Sequence, residues 1–295
     1  MVLVAGATGL VGCGVCERLV QRGEKVRALI RDTSSKEKMA ALQASGAELH
    51  YGDLKHPDSL ARACRGVAAV ISTASSTLSR QTGDSIESVD AAGQMNLVNA
   101  AKSAGVERFI FVSFRRAPGI SSPLADAKAA VEQAITAMNY TTIQASWFME
   151  VWLSPALGFD YPNRKARIYG PGTAPVSWVS FRDVAEMCAV ALRHPAASRS
   201  VIGFGGPEAL TPLEVRARFE QIGGAPFQVE HVPETALRAQ YEAATDSLQK
   251  TFAALMLGYA YGDAMDMAPV IDRFGLKLTS VDEYVRGVLG KQAAA

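Results

Sequence analysis

The sequence predicts an α/β protein, a doubly wound parallel sheet joined to a smaller, mostly helical C-terminal lobe. Three observations carry that expectation. A short apolar run, Val2-Leu3-Val4-Ala5, opens directly into Gly6-Ala7-Thr8-Gly9-Leu10-Val11-Gly12 and a helical segment reaching Gln21. Apolar runs and helical periods then alternate as far as residue 145. The runs are nearly continuous in Val and Ile, as strands covered on both faces require.

The elements follow in order. Arg22-Gly23 closes the first helix, and Val26–Ile30 reads as the second strand. Ser34, with Glu37 three residues on, has the spacing of a capping box for the next helix, which Gly46 ends. Ala47–Tyr51 is the third strand and leads to Gly52-Asp53-Leu54. Pro57 suits the first turn of a helix over Asp58–Cys64, because its missing N–H has no intrahelical partner there. Val67–Ile71 is the fourth strand. A long helix spans Ile86–Ala104 and stops at Gly105. Phe109–Val112, ending at Ser113, is the fifth strand, Ala125–Met138 a helix, and Tyr140–Ile143 the sixth strand.

Beyond residue 146 the alternation loosens. Trp147, Phe148, Trp152, Phe159, Tyr161 and Tyr169 cluster, interrupted by Pro155, Pro162, Pro171 and Pro175. Val176–Val179 reads as a returning strand, and Ser180 with Asp183 starts a helix. Thr211-Pro212-Leu213-Glu214 combines a capping box with a first-turn proline. The organisation expected is a dinucleotide-binding domain over 1–154 and a substrate lobe over 155–295. The strand and helix near 176–194 are expected to pack back on the first domain, and Lys291–Ala295 to fray. The aromatic run suits a flat apolar substrate, or forms the core joining the two parts.

Composition excludes several classes. Thirty basic residues face 29 acidic ones, a net charge of +1, with no basic block beyond Arg115-Arg116. Nucleic acid and membrane surfaces therefore have no electrostatic purchase. The apolar run from Thr251 to Gly262 is too short to cross a bilayer. No secretory leader is visible, so the cytoplasm is expected. His50, His56, His194 and His231 are scattered, and no metal site is expected. Cys13-Gly14-Val15-Cys16 has the spacing of a redox pair. It lies inside the glycine turn and first helix, however, where small residues serve packing.

The glycine turn is where the sequence speaks most directly of chemistry. In a strand–turn–helix unit, Gly6 permits the tight turn, Gly9 a close approach of backbone to a pyrophosphate, and Gly12 close packing of helix on strand. Thr8, Leu10 and Val11 complete the turn. The helix N-terminus then offers N–H groups and a positive dipole end to the anion. Ligands of such sheets sit at the carboxyl ends of strands. This places Arg31, Asp53, Leu54, Thr73, Ala74, Ser75 and Ser113 along the same rim as the turn. Arg31 follows the second strand, where a guanidinium can grip a 2′-phosphate, with Lys36 as a second charge; NADP(H) is the cofactor expected. The competing assignment leaves Arg31 solvated and gives the ribose to Asp32.

With these residues placed, the chain resembles the NmrA-like, isoflavone-reductase-like atypical short-chain dehydrogenase/reductases. The resemblance is best over residues 2–215. It rests on Val4–Gly9, Val26–Arg31, Gly52-Asp53-Leu54, Asn96–Lys102, Ala104-Gly105-Val106 leading into Phe109–Ser113, Lys128–Glu132 and Tyr140–Glu150. Asp183-Val184-Ala185 and Gly206-Pro207-Glu208 match later motifs. The resemblance implies a Rossmann-like NADP(H)-binding protein with a substrate cleft under a C-terminal lobe.

The wider superfamily places Tyr-x-x-x-Lys on the helix after the fifth strand. This chain has Leu124-Ala125-Asp126-Ala127-Lys128, keeping the lysine and losing the tyrosine, and Ala145 stands where the family has a proline after the sixth strand. A literal Tyr161-Pro162-Asn163-Arg164-Lys165 falls in a proline-broken stretch, where the two side chains cannot share a helix face; it is a chance match. Lys128 is the remaining catalytic candidate. Three roles stay open for it: proton donor to a carbonyl, holder of the cofactor ribose, or solvated helix lysine. Ser113 is a hydroxyl partner in the first case, or an ordinary strand terminus. The function expected is NADPH-dependent reduction of a small apolar carbonyl, quinone or enone. The alternative, which the resemblance also implies, is a non-catalytic NADP(H) sensor or assembly protein with a protein partner.

Overall fold

Residues 1–79 and 81–293 are described by a computed structural model. Contacts divide the chain into two units. One comprises Met1–Phe114, Pro123–Gln144 and Val184–Ile202; the other comprises Arg115–Ser122, Ala145–Asp183 and Gly203–Ala295. The chain thus leaves the first unit briefly over Arg115–Ser122 and again at Gln144/Ala145, where the expected boundary was 154. The chain also returns to the first unit at Val184.

The first unit is built on β1 (Val2–Ala5), α1 (Leu10–Gln21), β2 (Val26–Ile30), α2 (Lys36–Ala44), β3 (Glu48–Tyr51), α3 (Pro57–Ala63) and β4 (Ala69–Ser72). A π-helix over Ile86–Gly93 then runs into α4 (Gln94–Ser103), followed by β5 (Arg108–Phe114), α5 (Pro123–Ile135) and β6 (Asn139–Ala145). The seven-stranded sheet has the order β3-β2-β1-β4-β5-β6, closed by a later strand, β9 (Ser200–Phe204). That is the 3-2-1-4-5-6 order of a Rossmann sheet with one strand added. β1 pairs in parallel with β2 and β4, β2 with β3, and β4 with β5. β1 and β4 are buried throughout, as their unbroken apolar runs require. Leu3, Val70, Phe109 and Phe111 form a core on one face with Leu60, Leu97 and Val131 from the helices.

Several expectations shift. Ser34 does not cap α2; its hydroxyl accepts from the Arg31 N–H in the turn before the helix, and Ser35 takes the cap position without a side-chain bond. The fourth strand starts at Ala69, since Val67 and Ala68 finish the turn after α3. The long helix over 86–104 exists, but its first half is π-helical, a change of winding that apolar periodicity does not reveal.

The second unit holds α6 (Met149–Trp152), β7 (Phe159–Asp160), β8 (Lys165–Tyr169), the start of α7 (Phe181–Ala191), α8 (Pro212–Gly223), β10 (Gln228–Val232), α9 (Glu234–Ala243), α10 (Ser247–Tyr261), α11 (Ala268–Phe274) and α12 (Val281–Ala293). It is mostly helical, yet it carries a three-stranded sheet, β10-β8-β7, that periodicity did not predict. The capping box at Thr211 is formed in both directions with Glu214. Val176–Val179 is not a strand. Val176 makes single bridges to Leu210 and Asp263, and Val179 one to Phe148, so the segment is extended without a ladder of its own. The strand that joins the large sheet is β9, whose run Ser200–Phe204 includes a glycine and reads poorly as a strand. Lys291 to Ala293 continue α12, correcting the expected tail; Ala294 and Ala295 lie outside the described residues. The aromatic run builds this unit's core, where Trp152 stacks on Tyr259 at 5.1 Å and meets Trp147 and Tyr169 edge-on. Tyr161 and Lys165 sit in a 3-10 turn and at the start of β8, on no shared helix face.

Candidate functional site

The turn after β1 is shaped by backbone alone. Gly6 takes φ +81°, and a Cβ there would lie 2.7 Å from the Ala74 nitrogen. Gly12 packs still closer, since its Cβ would lie 2.1 Å from the Gly6 carbonyl oxygen, and that oxygen accepts from the Gly9 N–H. The amino end of α1 therefore presses on the turn. Gly9 caps the helix in an extended conformation, is exposed, and would present a Cβ no closer than 3.1 Å to Gly6. Among the described residues α1 has no side-chain cap and no acid in its first turn. First-turn N–H groups without a side-chain acceptor, at an exposed positive dipole end, fit an anion such as a pyrophosphate. Leu10 is exposed and Val11 half-buried beside them. Thr73 closes the turn from β4 by donating from Oγ1 to the Ala5 carbonyl.

At the carboxyl ends of β2 and β3 lies a charge cluster. Arg31 pairs with Asp84 at 2.7 Å, and Lys55 donates to the other Asp84 oxygen at 2.6 Å. The Asp84 side chain is only 2% exposed. Its burial pushes the pKa up. Hydrogen bonds from Lys55, Ser79 and Arg31 more than reverse this and hold it at about 2. Asp53 accepts from the Lys55 N–H and lies 3.6 Å from its ammonium. Part of the Arg31 guanidinium is thus already engaged, which the sequence reading did not foresee. Lys36 and Asp32 are both exposed. Lys38, one residue past Glu37, reaches from α2 to the Thr8 carbonyl at 3.0 Å and so touches the glycine turn.

A third group lies where β4 and β5 meet the π-helix and α5. Lys128 is 8% exposed, donates to the Val112 carbonyl at 3.1 Å and stands 4.8 Å from the centre of the Phe111 ring. Burial pulls its pKa down, while Asp90 and Glu132 oppose that fall. The solvated-lysine reading is therefore wrong, because the apolar face of α5 carries Lys128 inward with Leu124 and Val131. Ser113 is buried and donates to Glu132 at 2.5 Å; Gln144 donates to the same carboxylate. Leu124, at the superfamily tyrosine's place, packs with Ile86 and Ala127. Gln94 bridges Ser72 and the Ala74 carbonyl, fixing the segment that carries Thr73, Ala74 and Ser75. Ser75 lies 3.3 Å from the Thr77 hydroxyl.

The glycine turn and Thr73 to Ser75 therefore come together, as do Arg31 and Asp53 through Lys55 and Asp84. Leu54 differs from expectation: its side chain is core, packed with Leu60 and Leu97, and only its carbonyl reaches out, to Asn96. Lys38, Lys55, Asp84, Asp90 and Gln94 were missed. Lys38 alone had a signal, since a lysine on the first turns of the helix after β2 shares a rim with Arg31. Cys13 and Cys16 are both free, and burial raises both thiols, Cys16 to about 12; a reactive redox pair needs the opposite shift. Among the described residues no three His, Cys, Asp or Glu converge as metal ligands, and no helix is long and apolar enough to cross a membrane.

The model of the NmrA-like family matches residues 1–285. The chain belongs to the NmrA-like family. Relatives of this NmrA-like chain include the photosystem II assembly factor Ycf39 of Synechocystis, 30% identical over 98% of this chain and 91% of that protein. An NAD(P)H azoreductase of Xenophilus azovorans is 28% identical over 92% of each. Among solved structures, the NADPH-dependent quinone oxidoreductase QOR2 of Escherichia coli, complexed with NADPH, shares the fold. Its TM-score is 0.78 at 22% identity, over 98% of this chain and 100% of that one.

Proposed function

We propose that this NmrA-like protein binds NADPH and reduces a small apolar acceptor, a carbonyl, quinone or enone. The observation that carries the reading is the uncapped, exposed amino end of α1 framed by Gly6 and Gly12. The azoreductase among its relatives and the NADPH-bound oxidoreductase of the same fold support it. The N–H groups from Gly9 onward would hold the pyrophosphate. Arg31, with Lys36 and Lys38 on α2, would face the 2′-phosphate, and Asp53 with Thr73 to Ser75 would line the rim. When bound, the cofactor supplies the hydride. Lys128 holds a proton at Nζ for the oxygen that receives it, and its depressed pKa makes that proton easier to give. A quinone asks less of the protein, since a reduced quinone takes protons from water; this suits a chain with Leu124 in place of tyrosine.

A second reading has its own observation, the 30% identity to an assembly factor over 98% of the chain. On that reading the protein binds the cofactor and a protein partner without turnover. Purified protein tested for NADPH oxidation over quinones, enones and aldehydes separates the two. Steady turnover supports the reductase. Tight NADPH binding with none supports the assembly or sensor role.

A further inference from the structure

The buried carboxylate of Asp90 has no part in the reduction proposed for this protein. It is 1% exposed, in the middle of the π-helix. One oxygen, Oδ2, accepts from both the N–H and the hydroxyl of Ser76, at 2.9 and 2.6 Å, and so ties down the segment after β4. The other, Oδ1, is buried and has no hydrogen-bond partner among the described residues. Leaving a carboxylate oxygen in that state is costly unless a cation lies near. Lys128 of α5 supplies that charge, since its amine and the Asp90 carboxylate act on each other electrostatically. Ile86 meets Leu124 and Ala127 in one apolar cluster. Asp90 lies four residues past Ile86, and Lys128 four past Leu124, about one helical turn in each case. Each polar side chain thus stands about one turn along its own helix from that contact. Lys128 itself has the Val112 carbonyl and the Phe111 ring from β5, and the carboxylates whose charge acts on it are Asp90 from the π-helix and Glu132 from its own helix. Glu132 already accepts from Ser113 and Gln144, which leaves Asp90 as the less compensated charge.

We infer that Asp90 is a positioning residue for Lys128, the counter-charge that keeps the buried amine an ammonium at neutral pH, with the Ser76 backbone N–H holding that carboxylate in place. The inference deepens the reductase reading and rests on it for its catalytic meaning. Protein labelled at lysine Cε with carbon-13 tests it directly by a pH titration in NMR, with the Lys128 signal identified by its loss in Lys128→Arg. Asp90→Asn, which keeps an acceptor for Ser76, should lower the Lys128 midpoint by about one to three pH units, the range for an opposite charge at close quarters. The alkaline limb of kcat for a carbonyl substrate should move down with it. Ser76→Ala removes a bond and no charge, and should leave the midpoint in place. An unchanged midpoint in Asp90→Asn overturns the inference, and so does an equal fall in Ser76→Ala, which would assign the effect to displacement of the segment. If Asp90→Asn does not fold, the native protein decides: a Lys128 amine already neutral at neutral pH overturns it, and an ammonium supports it. Because the titration needs no turnover, a protein that shows the shift but reduces nothing keeps the electrostatic inference and loses the reductase reading.

Discussion

The end of β1 and the ends of β4 and β5 solve different problems with different material. At β1 the chain removes side chains, and what faces outward is backbone N–H held by Gly6 and Gly12. At β4 and β5 it buries charges, Asp90 and Lys128, among Ser76, Phe111 and Val112. The first site depends on shape and is indifferent to pH, since its donors do not titrate. The second depends on charge and must respond to pH and to single charge-removing substitutions.

The largest effect should come from the shape-made site. A side chain at Gly12 would need the space of the Gly6 carbonyl, 2.1 Å away, which is backbone and cannot yield without opening the turn. Gly12→Val should lower Tm clearly and abolish NADPH binding. Overpacking of this kind costs roughly 1–3 kcal/mol or more. Gly9→Val meets, among the described residues, only the Gly6 oxygen at 3.1 Å on an exposed cap, and should fold nearly normally while also losing NADPH. Native affinity in a fluorescence titration of Gly9→Val would detach the cofactor from this turn altogether.

The charge-made site should give the next largest effect, and chiefly on turnover. Lys128→Ala should reduce kcat for a carbonyl substrate by a factor on the order of 10²–10⁴, as loss of a general acid does, with quinone reduction spared in comparison. NADPH affinity should change modestly. If affinity and rate fall together and saturation restores the rate, Lys128 holds the cofactor and transfers no proton.

The same contrast explains what the sequence made legible. A backbone-made site announces itself because each glycine reports a local geometric demand, and three of them at fixed spacing after Val2–Ala5 leave few alternatives. The parallel sheet was legible for a related reason: Val26–Ile30 and Phe109–Val112 are apolar on both faces. Side-chain sites join residues far apart in the chain, as Asp84 joins Arg31 and Lys55, or Asp90 joins Ser76, and no local pattern records such a meeting. Lys128 was found through a resemblance, and its burial was not. β9 escaped notice because Gly203 dilutes its pattern, and the π-winding of Ile86–Gly93 because π and α turns place apolar residues at nearly the same spacing.

The cluster at the ends of β2 and β3 lies between the two extremes. If Arg31 serves a 2′-phosphate, Arg31→Ala should weaken NADPH by about 1.5–3 kcal/mol, the worth of a hydrogen bond to a charged group, and barely touch NADH. Equal affinity of the native protein for both cofactors, measured by titration, would return Arg31 to the sole service of Asp84 and favour Asp32 at the ribose.

The smallest effect concerns Asp84 and the stability of that cluster in acid. Burial alone would raise the pKa of a carboxyl with 2% exposure, but the bonds from Lys55, Ser79 and Arg31 prevail and hold it at about 2, below its ordinary value of 3.8. A carboxylate with a lower pKa in the folded state than in the unfolded state adds stability above its unfolded pKa. That contribution drains away as pH falls through the folded value. For Asp84 the window runs from about pH 4 down to about pH 2. Urea unfolding midpoints measured across that window should fall less steeply for Asp84→Asn than for the native chain, while remaining lower at neutral pH, where Arg31 and Lys55 lose their common partner. Parallel curves for the two proteins would mean that the cluster is screened by solvent and adds nothing to the acid sensitivity of the fold. In that case Arg31 is free to turn wholly to a ligand, and the case for it as the 2′-phosphate contact becomes stronger.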